Sequence, residues 1–210
     1  MIERALRNAT LYEVVQTVTG AHISEAKVRE ILGTIPTEGH LLDAGGGTGI
    51  MARLFNLGPD YFCMDLELDR VQVARRRGSS AVVGDVTAMP VASASIDLVI
   101  QRAVSHHLTD AEFASMVTES FRVLKPGGRL LFLDAIWAPS RIPGRLLWRL
   151  DQGSHPRTEA RMRDVLETCF VIERSLSYAV YHRYYLALAR RREDEGRKDG
   201  PTAGRQQAGS

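Results

Sequence analysis

The residues with the most chemical content are a run of glycines with acidic residues on either side. Residues 41–49 read LLDAGGGTG, in which an apolar segment ends at Asp43 and turns through glycines toward a predicted helix. Glycine is needed where the backbone adopts a positive φ or lies close against a ligand. A simple glycine-rich turn is the plainest interpretation of this segment. A nucleotide-type ligand is the alternative, and the neighbouring residues decide between the two.

Two phosphate-binding loops do not fit the segment. A P-loop has Lys followed by Ser or Thr after its last glycine, but Ile50 and Met51 follow here. The dinucleotide fingerprint G-x-G-x-x-G also fails, because the third glycine arrives one residue early. Asp43 would place a second negative charge beside a pyrophosphate. It suits a ligand that carries an ammonium group and a sulfonium.

Two more acids fall where an adenosine would need them. Asp65 ends the second predicted strand, and its carboxylate can accept hydrogen bonds from both ribose hydroxyls. Asp85 follows the third strand and can accept from an adenine amino group. One acid of this kind is more often a turn residue at the end of a strand. Three of them, at the ends of successive strands behind a glycine loop, favour a bound nucleoside.

These segments resemble the class I S-adenosylmethionine-dependent methyltransferases, specifically the small-molecule group that includes the ubiquinone and menaquinone biosynthesis C-methyltransferases. The matching segments are LLDAGGGTG (41–49), Asp65, GDVTAMPVASASIDLVI (84–100), His-His-Leu (106–108) and RVLKPGGRLLFLD (122–134). The resemblance implies S-adenosylmethionine as the cofactor and an enzyme that methylates a small molecule. We expect an oxygen or carbon acceptor in preference to nitrogen.

The resemblance also assigns the cofactor site. It implies contacts of the glycine loop with the methionine portion, of Asp65 with the ribose, and of the following residues with the adenine. The cofactor-binding residues it implies are Asp43, Ala44, Gly45, Gly47, Asp65, Leu66, Asp85, Val86 and Arg102.

Three histidines are candidates for a general base, which an acceptor needs if it must lose a proton. His106 and His107 follow the fourth predicted strand, and His155 precedes the last core helix. Because the His pair occurs in many relatives whatever their acceptor, a structural role in the cofactor pocket is the alternative. We expect Trp137, Trp148 and Tyr12 to cover the acceptor. A helix simply packed on the core is the alternative for residues 137–150.

Short apolar runs alternate with helical patterns along the chain, which predicts a doubly wound α/β sheet. The predicted strands are residues 40–43, 61–64, 81–83, 96–100, 129–133, 171–177 and 184–189, and the predicted helices are 2–18, 24–33, 49–56, 68–77, 111–124 and 158–169. We predict a Rossmann-like, mostly parallel seven-stranded sheet with an antiparallel C-terminal hairpin. The first five strands show no alternation, so both of their faces should be covered.

The domain boundaries follow from these patterns. We predict a helical cap at 1–36, a cofactor-binding domain at 37–190 with an acceptor-lid insertion at 137–156, and a disordered tail at 191–210. The six basic and four acidic residues of 190–210 carry the whole net charge of +2. The folded part is therefore neutral, which argues against a nucleic-acid partner.

Other function classes are less well supported. No apolar stretch reaches the length of a membrane span, and Cys63 and Cys169 are expected to be buried hydrophobes of a cytoplasmic protein. We expect no metal, because Asp134 is the only acid well placed near the fourth and fifth strands. The open alternatives are a fold that binds S-adenosylmethionine for a non-methylating reaction or as a sensor, and an NAD-dependent oxidoreductase, which the glycine spacing disfavours.

Overall fold

The computed structural model describes residues 21–33, 39–55, 57, 60–138, 155–180 and 182–193. Within them, seven strands form one sheet in the order β3-β2-β1-β4-β5-β7-β6. The strands are β1 (Leu41–Ala44), β2 (Tyr61–Asp65), β3 (Ser80–Val83), β4 (Ile96–Arg102), β5 (Leu124–Ile136), β6 (Phe170–Ala179) and β7 (Arg183–Arg191). The helices are α1 (Ala21–Leu32), α2 (Ile50–Phe55), α3 (Leu68–Arg76), α4 (Asp110–Val123) and α5 (Glu159–Leu166).

Strands β1 to β5 are parallel, and β7 is antiparallel to both β5 and β6. The predicted seven-stranded sheet with its antiparallel hairpin is confirmed. The second strand of the hairpin inserts between β5 and β6, which leaves β6 at the edge. Burial explains this order: the run 185–189 of β7 is buried, whereas β6 is largely exposed or half-buried. The more apolar strand therefore takes the interior position.

The core lies on both faces of the sheet, because alternate strand residues point to opposite sides. On one face, Leu42, Val99 and Phe132 pack with the buried sides of α4 and α5. On the other face, Leu41, Leu98 and Leu133 pack with α1 and with buried residues of α2 and α3. Two covered faces explain why these strands read as apolar runs.

Strand β3 departs from this expectation. Val82 and Val83 are 40% and 42% exposed, so the prediction that all of the first five strands are covered on both faces was wrong here. The physical reason is position: among the described strands, β3 lies at the edge of the sheet and pairs with β2 alone. Cys169 is also half-buried rather than buried, whereas Cys63 is buried as expected.

The C-terminal strand extends to Arg191, one residue into the predicted tail. The guanidinium of Arg191 is buried, donates from Nη1 to the Leu124 carbonyl at 2.9 Å and lies over the Phe121 ring. The sequence did not indicate this packing, because arginine is a charged residue. Arg191 packs here through its aliphatic stem and its planar guanidinium. The predicted tail from residue 194 onward, the helix at 2–18, Tyr12 and residues 139–154 of the predicted lid lie outside the described residues.

No helix among the described segments is both long and apolar enough to cross a membrane.

A buried arginine ties the C-terminal half of the fold to the end of β4. The guanidinium of Arg157 donates to the Ser105 and Leu108 carbonyls at 2.6 Å each and to the Asp110 carboxylate at 2.7 Å. Thr158 then caps α5 by accepting from the Arg161 amide. Arg157 therefore fixes the loop between β4 and α4 against the start of α5.

We predict that Arg157→Lys lowers the free energy of unfolding by about 2 kcal/mol or more. An ammonium group cannot reach all three acceptors, so a buried carbonyl loses its charged donor. Denaturant unfolding measures the change. The control is Arg161→Lys, an exposed residue with one 3.3 Å contact to Asp110, which should change stability by less than about 0.5 kcal/mol. Equal effects of the two variants would contradict the anchoring role of Arg157.

Candidate functional site

The glycine loop after β1 is held against the end of β2. The amides of Gly45 and Gly46 both donate to the Met64 carbonyl, at 2.8 and 3.0 Å, and the Gly47 amide donates to Asp65 Oδ2 at 2.8 Å. Gly45 and Gly47 adopt positive φ angles of 78° and 58°, which favour glycine. The backbone of the loop is therefore fixed by three hydrogen bonds to one strand end.

The glycines serve different purposes. A Cβ at Gly45 would collide with the Val104 side chain, and one at Gly46 would lie 2.6 Å from Asp43 Cγ. These two glycines let other parts of the protein approach. A Cβ at Gly47 would have its nearest neighbours 4.0 Å away, so the loop is uncovered at that point. Gly47 is therefore the glycine of the three that leaves room for a ligand.

Asp43 lies beneath the loop and is 1% exposed. The Tyr61 hydroxyl donates to Asp43 Oδ2 at 2.5 Å. Burial raises the pKa of Asp43 to about 6, although the hydrogen bond from Tyr61 and the charge of Arg102 both lower it. The Asp43 carboxylate thus packs against Gly46 of the loop. Arg102, at the end of β4, lies with Nη1 3.7 Å from Met51 Sδ.

The ends of β2 and β3 form the next part of the same edge. Asp65 Oδ1 accepts from the Glu67 amide at 3.0 Å, so both carboxylate oxygens of Asp65 are held by backbone amides. The Leu66 side chain is 69% exposed. Asp85 Oδ1 accepts from the amide and hydroxyl of Thr87, and Val86 is buried in the core. Asp65 thus borders the uncovered loop, and Asp85 follows the neighbouring strand at the same edge of the sheet.

The chain reverses sharply after β4 at Ala103, which has a positive φ of 56°. A left-handed conformation is costly for a residue other than glycine and is maintained only where the surroundings impose it. Here the Ala103 amide donates to the Leu133 carbonyl at 2.9 Å. The reversal sends Val104 onto Gly45 and turns the 3₁₀ helix Ser105–His107 toward β5. Nothing in the sequence indicated this reversal.

The turn delivers His106 to a buried carboxylate. His106 Nδ1 lies 2.6 Å from Asp134 Oδ1, and the Ser105 hydroxyl donates to Asp134 Oδ2 at 2.6 Å. Burial alone would raise the pKa of Asp134, but the contacts with His106 and Ser105 and the Ala135 amide outweigh it, and the pKa lies below its usual value. From the sequence, Asp134 was considered only as a possible metal ligand. An acid at the end of an apolar strand was the sequence feature that could have indicated a role for Asp134 in the site.

Those of the other predicted acceptor residues that the structure describes lie at the same end of the sheet. The ring of His107 is exposed and lies 4.1 Å from the ring of His106. The His155 amide donates to the His106 carbonyl at 3.1 Å, and the Trp137 amide donates to the Arg157 carbonyl at 2.7 Å. Trp148 lies outside the described residues. In the part of the chain that is described, no three acidic, His or Cys side chains are grouped to hold a metal ion.

These contacts fit a ligand with a cationic group, a ribose and a purine. The carboxylate of Asp65 sits at an uncovered glycine, with the Leu66 side chain beside it and Asp43 below. A carboxylate with fixed orientation accepts hydroxyl hydrogen bonds, and an exposed apolar side chain packs on an aromatic ring. When bound, S-adenosylmethionine would supply an electrophilic methyl group on a sulfonium.

Several known proteins are similar to parts of this chain. Residues 42–132 match the family described as "Methyltransferase domain". The chain is 32% identical over 120 residues to the tRNA (carboxymethyluridine(34)-5-O)-methyltransferase of Mus musculus, covering 56% of this chain and 17% of that protein. It is 32% identical over 111 residues to the demethylmenaquinone methyltransferase of Renibacterium salmoninarum, covering 51% and 45%. The chain thus spans less than half the length of either relative.

The fold has solved counterparts as well. A geranyl diphosphate methyltransferase in complex with S-adenosylmethionine matches with a TM-score of 0.68, covering 80% of this chain and 84% of that one. At 13% identity, this likeness concerns the fold alone. The family match over residues 42–132 and the shared fold make this chain similar to the S-adenosylmethionine-dependent methyltransferases.

Proposed function

We propose that this chain transfers a methyl group from S-adenosylmethionine to a small-molecule acceptor. The observation that carries the proposal is the Asp65 carboxylate, held by the Gly47 and Glu67 amides at the uncovered point of the loop. In this position Asp65 would accept from the ribose hydroxyls. Leu66 and Asp85 would contact the adenine, with the Val86 backbone beside it, and Ala44, Gly45, Gly47 and Arg102 would border the methionine portion.

The acceptor would sit where the ends of β4 and β5 meet. His106, His107 and His155 are grouped there through ring and backbone contacts, and Trp137 follows directly on β5. The chain's first contribution would be alignment, since in-line methyl transfer requires the acceptor atom close to the methyl carbon. One of the histidines would remove a proton where the acceptor carries one. Tyr12 and Trp148 are proposed to help exclude water.

A tRNA acceptor is the second candidate, supported by the relative in Mus musculus that acts on tRNA. The charge distribution favours a small molecule instead. The excess of basic residues lies in 190–210, so residues 1–189 carry no net positive charge to neutralise phosphates. A small acceptor needs no such surface, and we expect an oxygen or carbon atom to be methylated.

Cofactor binding is tested with Asp65→Asn. We expect the dissociation constant of S-adenosylmethionine, measured by isothermal titration calorimetry, to rise about 10-fold or more, because an amide replaces a charged acceptor. Asp69→Asn is the matched control, since Asp69 is an exposed acid in the first turn of α3. An unchanged affinity in Asp65→Asn would remove this residue from the site. No binding by the unaltered protein at about 100 μM cofactor would refute the proposal.

A pH prediction follows from the buried charge of Asp43. Its pKa is raised from 3.8 to about 6 in the fold, so the folded state holds this proton more tightly than the unfolded chain. The resulting stabilisation is complete below about pH 4 and is lost as the pH rises through about 6. Asp43→Asn removes this dependence. Relative to the variant, the cofactor-free protein should lose about 2 kcal/mol between pH 4 and 7.

Chemical denaturation of both proteins across this pH range measures the difference between them, from which the other titrating groups cancel. We expect Asp43→Asn also to bind S-adenosylmethionine more weakly at pH 7, because the cationic ligand loses a nearby negative charge. A stability difference that stays constant with pH would contradict the assignment of the buried proton to Asp43.

The acceptor is tested by measuring S-adenosylhomocysteine formation by mass spectrometry with phenols, quinols, carboxylic acids, amines and a tRNA transcript. Turnover with a small hydroxyl or carbon acceptor is expected. Turnover with tRNA alone would establish the second candidate. Binding of the cofactor without turnover on any acceptor would favour the sensing or non-methylating alternative.

A further inference from the structure

We infer that a cavity between α2 and the turn after α3 is a second binding site, which takes a small phosphate monoester with an apolar body. The cavity has a volume of about 540 Å³, which lies within the range of small-molecule sites. Neither Gly47 nor Asp65 of the proposed cofactor site lines this cavity. The inference therefore does not depend on the proposed methyl transfer.

Two kinds of surface enclose the cavity. Ile50, Ala52 and Leu57, from α2 and the residues after it, form an apolar side, and Tyr61 at the start of β2 adjoins them. The turn 77–80, between α3 and β3, forms a polar side. An apolar group of a ligand would leave water on contact with the first side, which favours its binding.

The turn 77–80 has a fixed backbone. The amides of Gly78 and Ser79 donate to carbonyls in the last turn of α3, at 3.0 and 3.1 Å. Arg77 Nη1 donates to Thr48 Oγ1 of the glycine loop at 3.0 Å. The polar side of the cavity is thus formed before a ligand arrives, which lowers the entropic cost of binding.

The polar side is positively charged. Arg53 and Arg77 line the cavity together with Ser79 and Ser80, and no acidic side chain is among the described residues that do so. A guanidinium group stays charged throughout the physiological pH range and matches the geometry of phosphate oxygens. The hydrogen bond of Arg77 to Thr48 does not alter the charge of Arg77. The cavity therefore attracts an anion.

The two sides together select the class of ligand. A phosphate monoester carries about two negative charges at pH 7.5, which match the two guanidinium groups, and its third oxygen can accept from a serine hydroxyl. A carboxylate has one charge and two oxygens. Inorganic phosphate has the charge but no group for the apolar side. A phosphate ester with an aryl or alkyl group is the ligand that uses both sides.

This cavity is separate from the place proposed for the methyl acceptor. It adjoins Tyr61 and Ser80, which are the first residues of β2 and β3, whereas the acceptor would sit where β4 and β5 end. Because these strands are parallel, their starts and their ends lie at opposite edges of the sheet. We therefore expect the phosphate ester to bind together with S-adenosylmethionine, without competition.

The test is isothermal titration calorimetry of the unaltered protein with phenyl phosphate at pH 7.5. We expect a dissociation constant below about 1 mM, which changes less than about 3-fold when S-adenosylmethionine is present at saturation. Inorganic phosphate should bind about 5-fold more weakly or worse, since it lacks the apolar group. Phenylacetate should bind about 3-fold more weakly or worse, since it has a single charge. Benzyl alcohol should show no binding.

Variants locate the site. We expect Arg53→Gln and Arg77→Gln each to raise the dissociation constant of phenyl phosphate about 5-fold or more, because each removes a charged donor. Arg76→Gln is the matched control, since Arg76 is an exposed arginine in the last turn of α3 that does not line the cavity. It removes the same charge and should change the dissociation constant less than about 2-fold. Arg53 makes the test independent of any effect of Arg77→Gln on the glycine loop.

Four results would overturn the inference. They are a dissociation constant of phenyl phosphate above about 5 mM, equal losses in Arg53→Gln and Arg76→Gln, equal affinity for phenyl phosphate and inorganic phosphate, and tighter binding of phenylacetate. Displacement of phenyl phosphate by S-adenosylmethionine would also contradict it, because the ligand would then occupy the cofactor site. Failure of the unaltered protein to bind S-adenosylmethionine would instead count against the proposed methyl transfer.

Discussion

The attachment of the glycine loop to the end of β2 is the constraint on which the rest of the site depends. One carbonyl, that of Met64, accepts two loop amides, and one carboxylate, that of Asp65, accepts a third. Because β1 and β2 are parallel neighbours, these groups meet at the same sheet edge. The contacts open a surface at Gly47 and orient Asp65 beside it. A ligand bound there finds its partners already in place, which lowers the entropic cost of binding.

The same loop also fixes the turn that follows β4. Gly45 has no side chain, so Val104 can pack on it, and Val104 reaches it because Ala103 reverses the chain in a left-handed conformation. The three hydrogen bonds of Arg157 then secure the turn that follows. Backbone strain at Ala103 is thus offset by neighbouring contacts, and the strained turn joins the glycine loop to the end of β5.

Two buried aspartates at the ends of strands show how hydrogen-bond partners decide the behaviour of one residue type. Asp43 is buried with the Tyr61 hydroxyl as a partner, and its pKa rises to about 6. Asp134 is as deeply buried, but Ser105, His106 and Ala135 donate to it, and its pKa falls below the usual value. Desolvation dominates in the first case, whereas in the second the electrostatic attraction of His106 and the hydrogen bonds together outweigh desolvation. The first carboxylate is a candidate to respond to a cationic ligand, whereas the second is suited to hold a permanent charge beside a histidine.

The amino-acid sequence by itself determined the fold class, most of the described strands and helices to within a few residues, and the position of the glycine loop. Short apolar runs, glycines and acids at strand ends are local patterns, and local patterns are legible along the chain. The tertiary structure alone decided the pairing of His106 with Asp134, the anchoring by Arg157 and the interior place of β7. It also left β3 exposed and extended β7 through Arg191. These features join residues distant in the sequence, or depend on which strand has a neighbour, and no spacing within one segment encodes such contacts.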